Sequence, residues 1–232
     1  MMGEKRRSDR MTAIGFDVYG TLVDPLEMQR HLHALLGGQA GTFAALWREK
    51  QLEYSFRRGL MRQYVSFDVC TDQALQYVIA ALGVEVSADE RMRLLEQYRE
   101  LQAFPDALPA IERLKAAGHT VVAFSNGVEG TVRALLDHAG MLPYLDAVIS
   151  VDDLRTFKPD PDVYAYLAHC VGHAVESTWL VSGNPFDVIG AKAAGLNAAW
   201  VRRNPDAVFD PWGIEPDIVV ADLRAFAEYR AA

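Results

Sequence analysis

Four small polar groups recur along the chain, each directly after an apolar run or a turn. They are Asp17 with Tyr19, Gly20 and Thr21; Ser125-Asn126-Gly127; Lys158-Pro159-Asp160; and Ser182 with Asn184 and Asp187. Taken singly, each is what a turn or a helix cap uses for local hydrogen bonding. Taken together they bring an acid, a hydroxyl–amide pair, a lysine and a second acid to comparable places. Thiol and metal–thiolate chemistry lack support. Cys70 and Cys170 stand far apart with no CxxC or Cys/His ligand spacing, so both read as ordinary buried thiols in a reducing compartment. The six histidines (His31, His33, His119, His138, His169, His173) make no catalytic pairing with a serine or cysteine and read as surface or cap residues. Carboxylates, hydroxyls, an amide and a lysine remain.

Those residues need a frame. Thr12 to Asp17 is a short apolar run ending in a carboxylate, the pattern of a buried strand entering a turn. Further strands are expected at 120–124, 147–151, 178–181, 197–201 and 217–220. Helices are expected at 108–117, 131–138, 161–170 and 186–194, three of them closed by Gly118, Gly140 and Gly195. Strands alternating with single helices imply parallel strands joined by right-handed crossovers, and nearly continuous apolar strands imply helices on both faces. The expectation is an α/β fold with a doubly wound parallel sheet. Its core takes residues 11–24 and 105–232, interrupted by a helical insertion over 25–104. In that insertion, Ser87 to Glu90 reads as a capping box, and Thr71 as the cap of a helix ending at Gly83. In such a sheet, ligands bind beyond the carboxyl ends of the strands, where the four polar groups fall.

Composition narrows the partners. The chain has 232 residues, half of them apolar and 23% charged, with a formal net charge of −8. That length buries a core without disulfides or metal, and the acidic balance disfavours a nucleic-acid partner. No apolar stretch reaches the ~18 residues of a membrane span. Lys5, Arg6, Arg7 and Arg10 precede an apolar run too short for a secretion signal, so residues 1–10 read as a flexible leader and the protein as cytoplasmic.

The motifs Asp17-Val-Tyr-Gly-Thr21-Leu, Ser125-Asn126-Gly127, Lys158-Pro159 and the segment from Ser182 to Asp187, in this order, resemble the haloacid dehalogenase superfamily. Leu46-Trp-Arg48-Glu-Lys-Gln51-Leu-Glu-Tyr54 and Tyr64-Val-Ser-Phe67 resemble the cap segment of its L-2-haloacid dehalogenases. The resemblance implies a Rossmann-like core with a helical cap and a small anionic 2-haloacid as substrate. It also implies halide as product, no cofactor and no metal. Asp17 would attack C2, displace halide and form an ester, whose hydrolysis gives a D-2-hydroxy acid from an L-2-haloacid. Lys158 would keep Asp17 ionised, and Ser125 with the backbone around Val18 would hold the substrate carboxylate. Arg48 and Asn126 would receive the halide. Thr21, Tyr164, Ser182 and Asn184 would orient Asp17, Lys158 and the water that Asp187 activates. Tyr19, Leu52, Phe67 and Phe186 would wall the pocket.

Most of the superfamily transfers phosphoryl groups with an Asp-x-Asp motif and magnesium, and two positions depart from that pattern. Tyr19 replaces the second acid, and Gly183 replaces an acid after the fourth strand. The general acid is thereby absent, which suits a halide that leaves as a stable anion. Other departures bear on the pocket. Glu49 would repel an anion if it faced the cavity and is expected to turn away, while Gly183 and Phe186 would alter pocket size. Arg48 heads a stripe with Leu52, Phe56 and Leu60 at i+4 steps; a snorkelling arginine is the plain alternative. Tyr164 either packs on the sheet or lines the site. Trp47 and Tyr54 either pack in the cap or face a second subunit of a homodimer. A magnesium-dependent phosphatase and a non-catalytic binding module are the competing readings.

Overall fold

The computed structural model describes residues 12–231; the leader expected at 1–10 lies outside them. Six parallel strands form one sheet: β1 (Ala13–Asp17), β2 (Thr120–Ser125), β3 (Ala147–Ser150), β4 (Thr178–Ser182), β5 (Asn197–Val201) and β6 (Ile218–Val220). Their order is β3-β2-β1-β4-β5-β6. The chain winds outward from β1 in one direction, then returns to β1's other side, so a crevice opens beyond the carboxyl end of β1. β1 is buried along its whole length, as a central strand with helices on both faces must be.

The helices of the core are α5 (Ala107–Ala116), α6 (Glu129–His138), α7 (Pro161–Val171), α8 (Pro185–Ala193) and α9 (Leu223–Ala231), and those between β1 and β2 are α1 (Met28–Leu36), α2 (Ala40–Leu60), α3 (Phe67–Leu82) and α4 (Ala88–Gln97). Apart from one isolated bridge, residues 25–104 hold no strand structure, as expected of a helical insertion. That bridge is antiparallel and joins Val23 to Ala103. Around it Asp24 N donates to Gln102 O at 3.2 Å and Phe104 N to Leu22 O at 2.9 Å, so the insertion's two ends are paired to each other. Among the described residues no helix is long and apolar enough to cross a membrane.

Local chemistry explains most boundaries. The Ser87–Glu90 capping box forms as read, with both reciprocal bonds present. Thr71 is not a cap. Ser66 caps α3 by accepting from Val69 N, and Thr71 lies inside that helix, donating to Phe67 O at 2.9 Å. The periodicity of α2 also holds a surprise. Its buried face is Phe43, Ala44, Trp47, Gln51 and Ser55, while Leu52 and Phe56 are half-buried beside it and Leu60 is 88% exposed. Trp47 belongs to that buried face, donating to Thr71 O at 2.9 Å, so it packs in the cap rather than facing a second subunit. Cys70 is buried, but Cys170 sits on the outer side of α7 and is exposed, because Val163, Tyr164, Leu167 and Ala168 take the inner face. His119 is likewise no surface residue; it is buried near the amino end of β2, within hydrogen-bond reach of Thr12 N.

Candidate active site

The crevice beyond β1 collects the four polar groups. Asp17 is the last residue of β1, and β2 and β4 on either side end at Ser125 and Ser182. The Asp17 carboxylate is 7% exposed and held from several directions. Its Oδ2 accepts from Thr21 Oγ1 at 2.8 Å, Asn184 Nδ2 at 2.7 Å and Ser182 Oγ at 3.4 Å; its Oδ1 accepts from Lys158 Nζ at 3.0 Å. Thr21 reaches it through the turn after β1, and its hydroxyl also accepts from Gly183 N at 2.8 Å. Gly183 does not shape the pocket as expected. A Cβ there would lie 2.4 Å from Gly20 O, so glycine is what allows the end of β4 to close against the β1 turn.

Lys158 is the hub. It is 1% exposed and spends all three ammonium donors, on Asp17 Oδ1, Asp187 Oδ2 and Phe124 O, each at 3.0 Å. Its Nζ also sits 4.2 Å from the centre of the Phe124 ring. Its backbone N–H donates to Asn126 Oδ1 at 2.9 Å, which ties the turn carrying it to the end of β2. Burial alone would lower the Lys158 pKa, but Asp17 and Asp187 outweigh it and hold the pKa above the ordinary lysine value. Asp187, fully buried, moves the other way from a typical ion-paired acid: burial raises its pKa, and the pull of Lys158 only partly offsets this. Its Oδ1 accepts from Tyr164 OH at 2.9 Å. Tyr164 is fully buried and reaches Asp187 past Gly190, where a Cβ would stand 2.4 Å from the hydroxyl. Tyr164 thus packs on the sheet and joins the site together.

The cap supplies Arg48. Its Nη2 donates to Tyr19 O at 3.1 Å, the same carbonyl that accepts from Asn184 Nδ2 at 3.0 Å. The guanidinium is therefore linked to the Asp17 carboxylate through Tyr19 O and Asn184, a path of three hydrogen bonds, and is not a snorkelling surface group. Nη1 donates to Gln51 and Nη2 to Tyr19, and the Tyr98 hydroxyl is also a neighbour; with five N–H groups the guanidinium still has donors for an anion. Glu49 is exposed and turned away. The Tyr19 ring packs between Phe67 and Tyr98, with centroids at 5.9 and 5.8 Å, and burial pushes its hydroxyl pKa up, so it stays protonated. Phe186 contacts Phe56 of α2 at 4.9 Å, and Leu52 is half-buried one turn beyond Arg48. Val18 is fully buried beside Asp17, and Ser125 (1% exposed) accepts from Gly127 N at 3.0 Å.

Sequence reasoning missed Phe157 and Gln51. The Phe157 ring packs at a tilt against Tyr64 and Phe67, with centroids at 5.0 and 6.3 Å, and its position immediately before Lys158 was the available signal. Gln51 lies at i+3 from Arg48, a spacing that puts both on one helical face.

A family model described as haloacid dehalogenase-like hydrolase matches residues 11–195. The chain belongs to the haloacid dehalogenase-like hydrolases. Within that family it is similar to (S)-2-haloacid dehalogenase 1 of Pseudomonas sp. (strain CBS-3), with 38% identity over 84% of this chain and 86% of the relative. It is 34% identical to the (S)-2-haloacid dehalogenase of Pseudomonas sp. (strain YL), over 95% of this chain and 94% of the relative. Among solved haloacid dehalogenase-like structures, the L-2-haloacid dehalogenase from Xanthobacter autotrophicus with chloropropionic acid covalently bound superposes with a TM-score of 0.86. It shares 32% identity, over 94% of this chain and 97% of that one.

Proposed function

We propose that this protein hydrolyses short L-2-haloalkanoates to D-2-hydroxyalkanoates through an ester on Asp17, without a metal. The observation that carries this reading is the Lys158 ammonium, set 3.0 Å from both rim carboxylates. A cation already joins Asp17 to Asp187, so the donor set that would anchor magnesium is spent on an amine. With Tyr19 in place of an acid, the first displacement also has no residue beside Asp17 to protonate an alkoxide leaving group. Halide needs neither. The names of the curated relatives and the chloropropionate-bound Xanthobacter structure support the same substrate class.

In this mechanism Asp17 attacks C2 in line with the carbon–halogen bond, the halide leaves with the bonding pair, and C2 inverts. Thr21, Ser182, Asn184 and Lys158 fix the carboxylate before the substrate arrives, which removes reorganisation from the barrier. Ser125 and the backbone at Val18 orient the substrate carboxylate. Arg48 and Asn126 take up the developing halide, and Leu52, Phe67 and Phe186 keep water from it. Water then adds to the ester carbonyl carbon of Asp17, its proton passing to Asp187, whose raised pKa suits it as the acceptor. The tetrahedral adduct collapses, the alkoxide takes the proton from Asp187 and leaves as the hydroxy acid, and the water's second proton passes to solvent, which returns Asp17 and Asp187 as carboxylates. We further take residues 25–104 as the cap domain, residues 11–24 and 105–232 as the core, and a homodimer as the assembly.

The test is halide release from separate L- and D-2-chloropropionate in EDTA, with chiral analysis of the lactate. Release from the L form alone, giving D-lactate, is expected. No release, together with magnesium-dependent cleavage of an aryl phosphate, makes the protein a phosphatase of this family instead.

A further inference from the structure

Of the buried polar side chains that the mechanism does not use, one lies beside Arg48. Gln51 is fully buried in α2, three residues past Arg48, on a face otherwise formed largely by Phe43, Ala44 and Trp47. An amide costs free energy to bury unless its groups are bonded, and an apolar residue of equal size would avoid that cost. Here both polar atoms of the amide are bonded. Gln51 Oε1 accepts from Arg48 Nη1 at 2.7 Å and from the Tyr98 hydroxyl at 2.9 Å, and Nε2 donates to Thr71 Oγ1 at 2.6 Å.

The directions of these bonds are fixed. The Thr71 hydroxyl has one proton and gives it to Phe67 O at 2.9 Å, so toward Gln51 it can only accept. The amide nitrogen must face Thr71, and the amide oxygen must face Arg48. Tyr98 spends its single proton on the same oxygen, and its buried hydroxyl has a raised pKa that keeps the proton in place. The chain Phe67–Thr71–Gln51 therefore ends in an acceptor that can only receive donors, and the guanidinium is one of them. The other Nη of Arg48 is then delivered to Tyr19 O at 3.1 Å, beside Asn184 and Asp17.

We propose that Gln51, locked by Thr71 and Tyr98, is the positioning residue that holds Arg48 in its anion-receiving orientation. This rests on the halide role given to Arg48 above. Arginine has many rotamers, and ordering it before the substrate arrives moves that entropic cost out of the reaction. Gln51 touches neither the substrate nor the reacting atoms.

Two variants test it. Gln51→Met keeps the volume and removes the acceptor. Gln51→Glu keeps an acceptor but sets a negative charge against the guanidinium. The readouts are kcat and KM for L-2-chloropropionate, and the bromide dissociation constant from ion-dependent shifts in melting temperature. A binding constant does not depend on the fraction of folded protein, so it separates positioning from mere stability. Removing the charge-assisted hydrogen bond in Gln51→Met, and turning the guanidinium's charge toward a carboxylate in Gln51→Glu, each predict bromide binding weaker by about tenfold or more, with kcat lowered by a comparable factor. Bromide constants within twofold of the unmodified protein, in whichever variant folds, overturn the proposal whatever happens to the melting temperature; so does an unmodified protein that binds no bromide. An unmodified protein that binds bromide but releases no halide from chloropropionate defeats the dehalogenase reading, and the bromide constants of the variants still decide the role of Gln51.

Discussion

At the scale of single residues, the site is two carboxylates that share one ammonium yet sit in different surroundings. Among the described residues, Asp17 faces donors from Thr21, Asn184, Ser182 and Lys158, whereas Asp187 lies deeper with Lys158 and Tyr164. Different surroundings suit different tasks. Asp17→Asn should abolish halide release while circular dichroism still shows the native fold; the melting temperature should fall, because the amide NH2 faces a donor and Lys158 loses one of its two carboxylates. Asp187→Asn should separate the two chemical steps: halide should appear in a burst of about one per enzyme and then stall, with mass spectrometry showing the ester on Asp17. A steady turnover in that variant would remove Asp187 from the hydrolytic step. Lys158 gives a prediction in pH. Its pKa is raised in the folded state, so its stabilisation is fully present below the ordinary value of 10.5 and is lost as pH rises through the folded value. Melting temperature and activity should therefore show a Lys158-dependent decline only on the alkaline side of 10.5, one that no neutral-pH titration reproduces.

At the scale of elements, strand ends and one cap helix do the positioning. β1, β2 and β4 were legible because each is a short apolar run with a polar residue at its end, and the spacing of those ends along the chain already placed Asp17, Ser125 and Ser182 on one rim. The capping box at Ser87 was legible for an equally local reason. Other features depend on packing that no local pattern records. The buried face of α2 carries Gln51 and Ser55, which reads as a polar interruption until Thr71 and Tyr98 are seen to satisfy Gln51. Thr71 has the composition of a cap but lies inside α3, because Ser66 reaches Val69 N first. Gly183 was read as a pocket-size change, whereas its role lies in backbone contact between the β4 and β1 ends. Gly183→Ala tests that contact. Its Cβ would fall 2.4 Å from a carbonyl oxygen, so the turn must shift. A loss of about 1–3 kcal/mol is expected by chemical denaturation, with halide release reduced as Thr21 moves. An alanine variant of unchanged stability would show that the turn gives way freely.

At the scale of the whole molecule, the cap completes a site that the core only begins. The core holds Asp17, Lys158 and Asp187, while Arg48, Leu52 and Phe67 come from residues between β1 and β2. Tyr64 to Asp152, Asp68 to Thr131 at 2.9 Å and Phe56 on Phe186 close the cap over the crevice. Replacing residues 25–101 by a short glycine-rich turn should leave a folded sheet, seen as a cooperative melt, with no haloacid turnover. Turnover in the shortened chain would mean that Arg48 is dispensable.

The paired ends of the insertion also bear on how the chain is made. β1, the strand that ends at Asp17, is the first described element to leave the ribosome, yet its neighbours in the sheet, β2 and β4, begin only at Thr120 and Thr178. Left as an open loop, the intervening segment would make that pairing slow, since non-local contacts demand chain closure before they return any stabilisation. The Val23–Ala103 stem changes the distance that matters. Once the helices between them have folded on themselves and brought the stem together, β1 and β2 are separated in effect by little more than α5. Synthesis and folding can then run in the same order: first the strand, next the lid, and last the sheet that the strand belongs to.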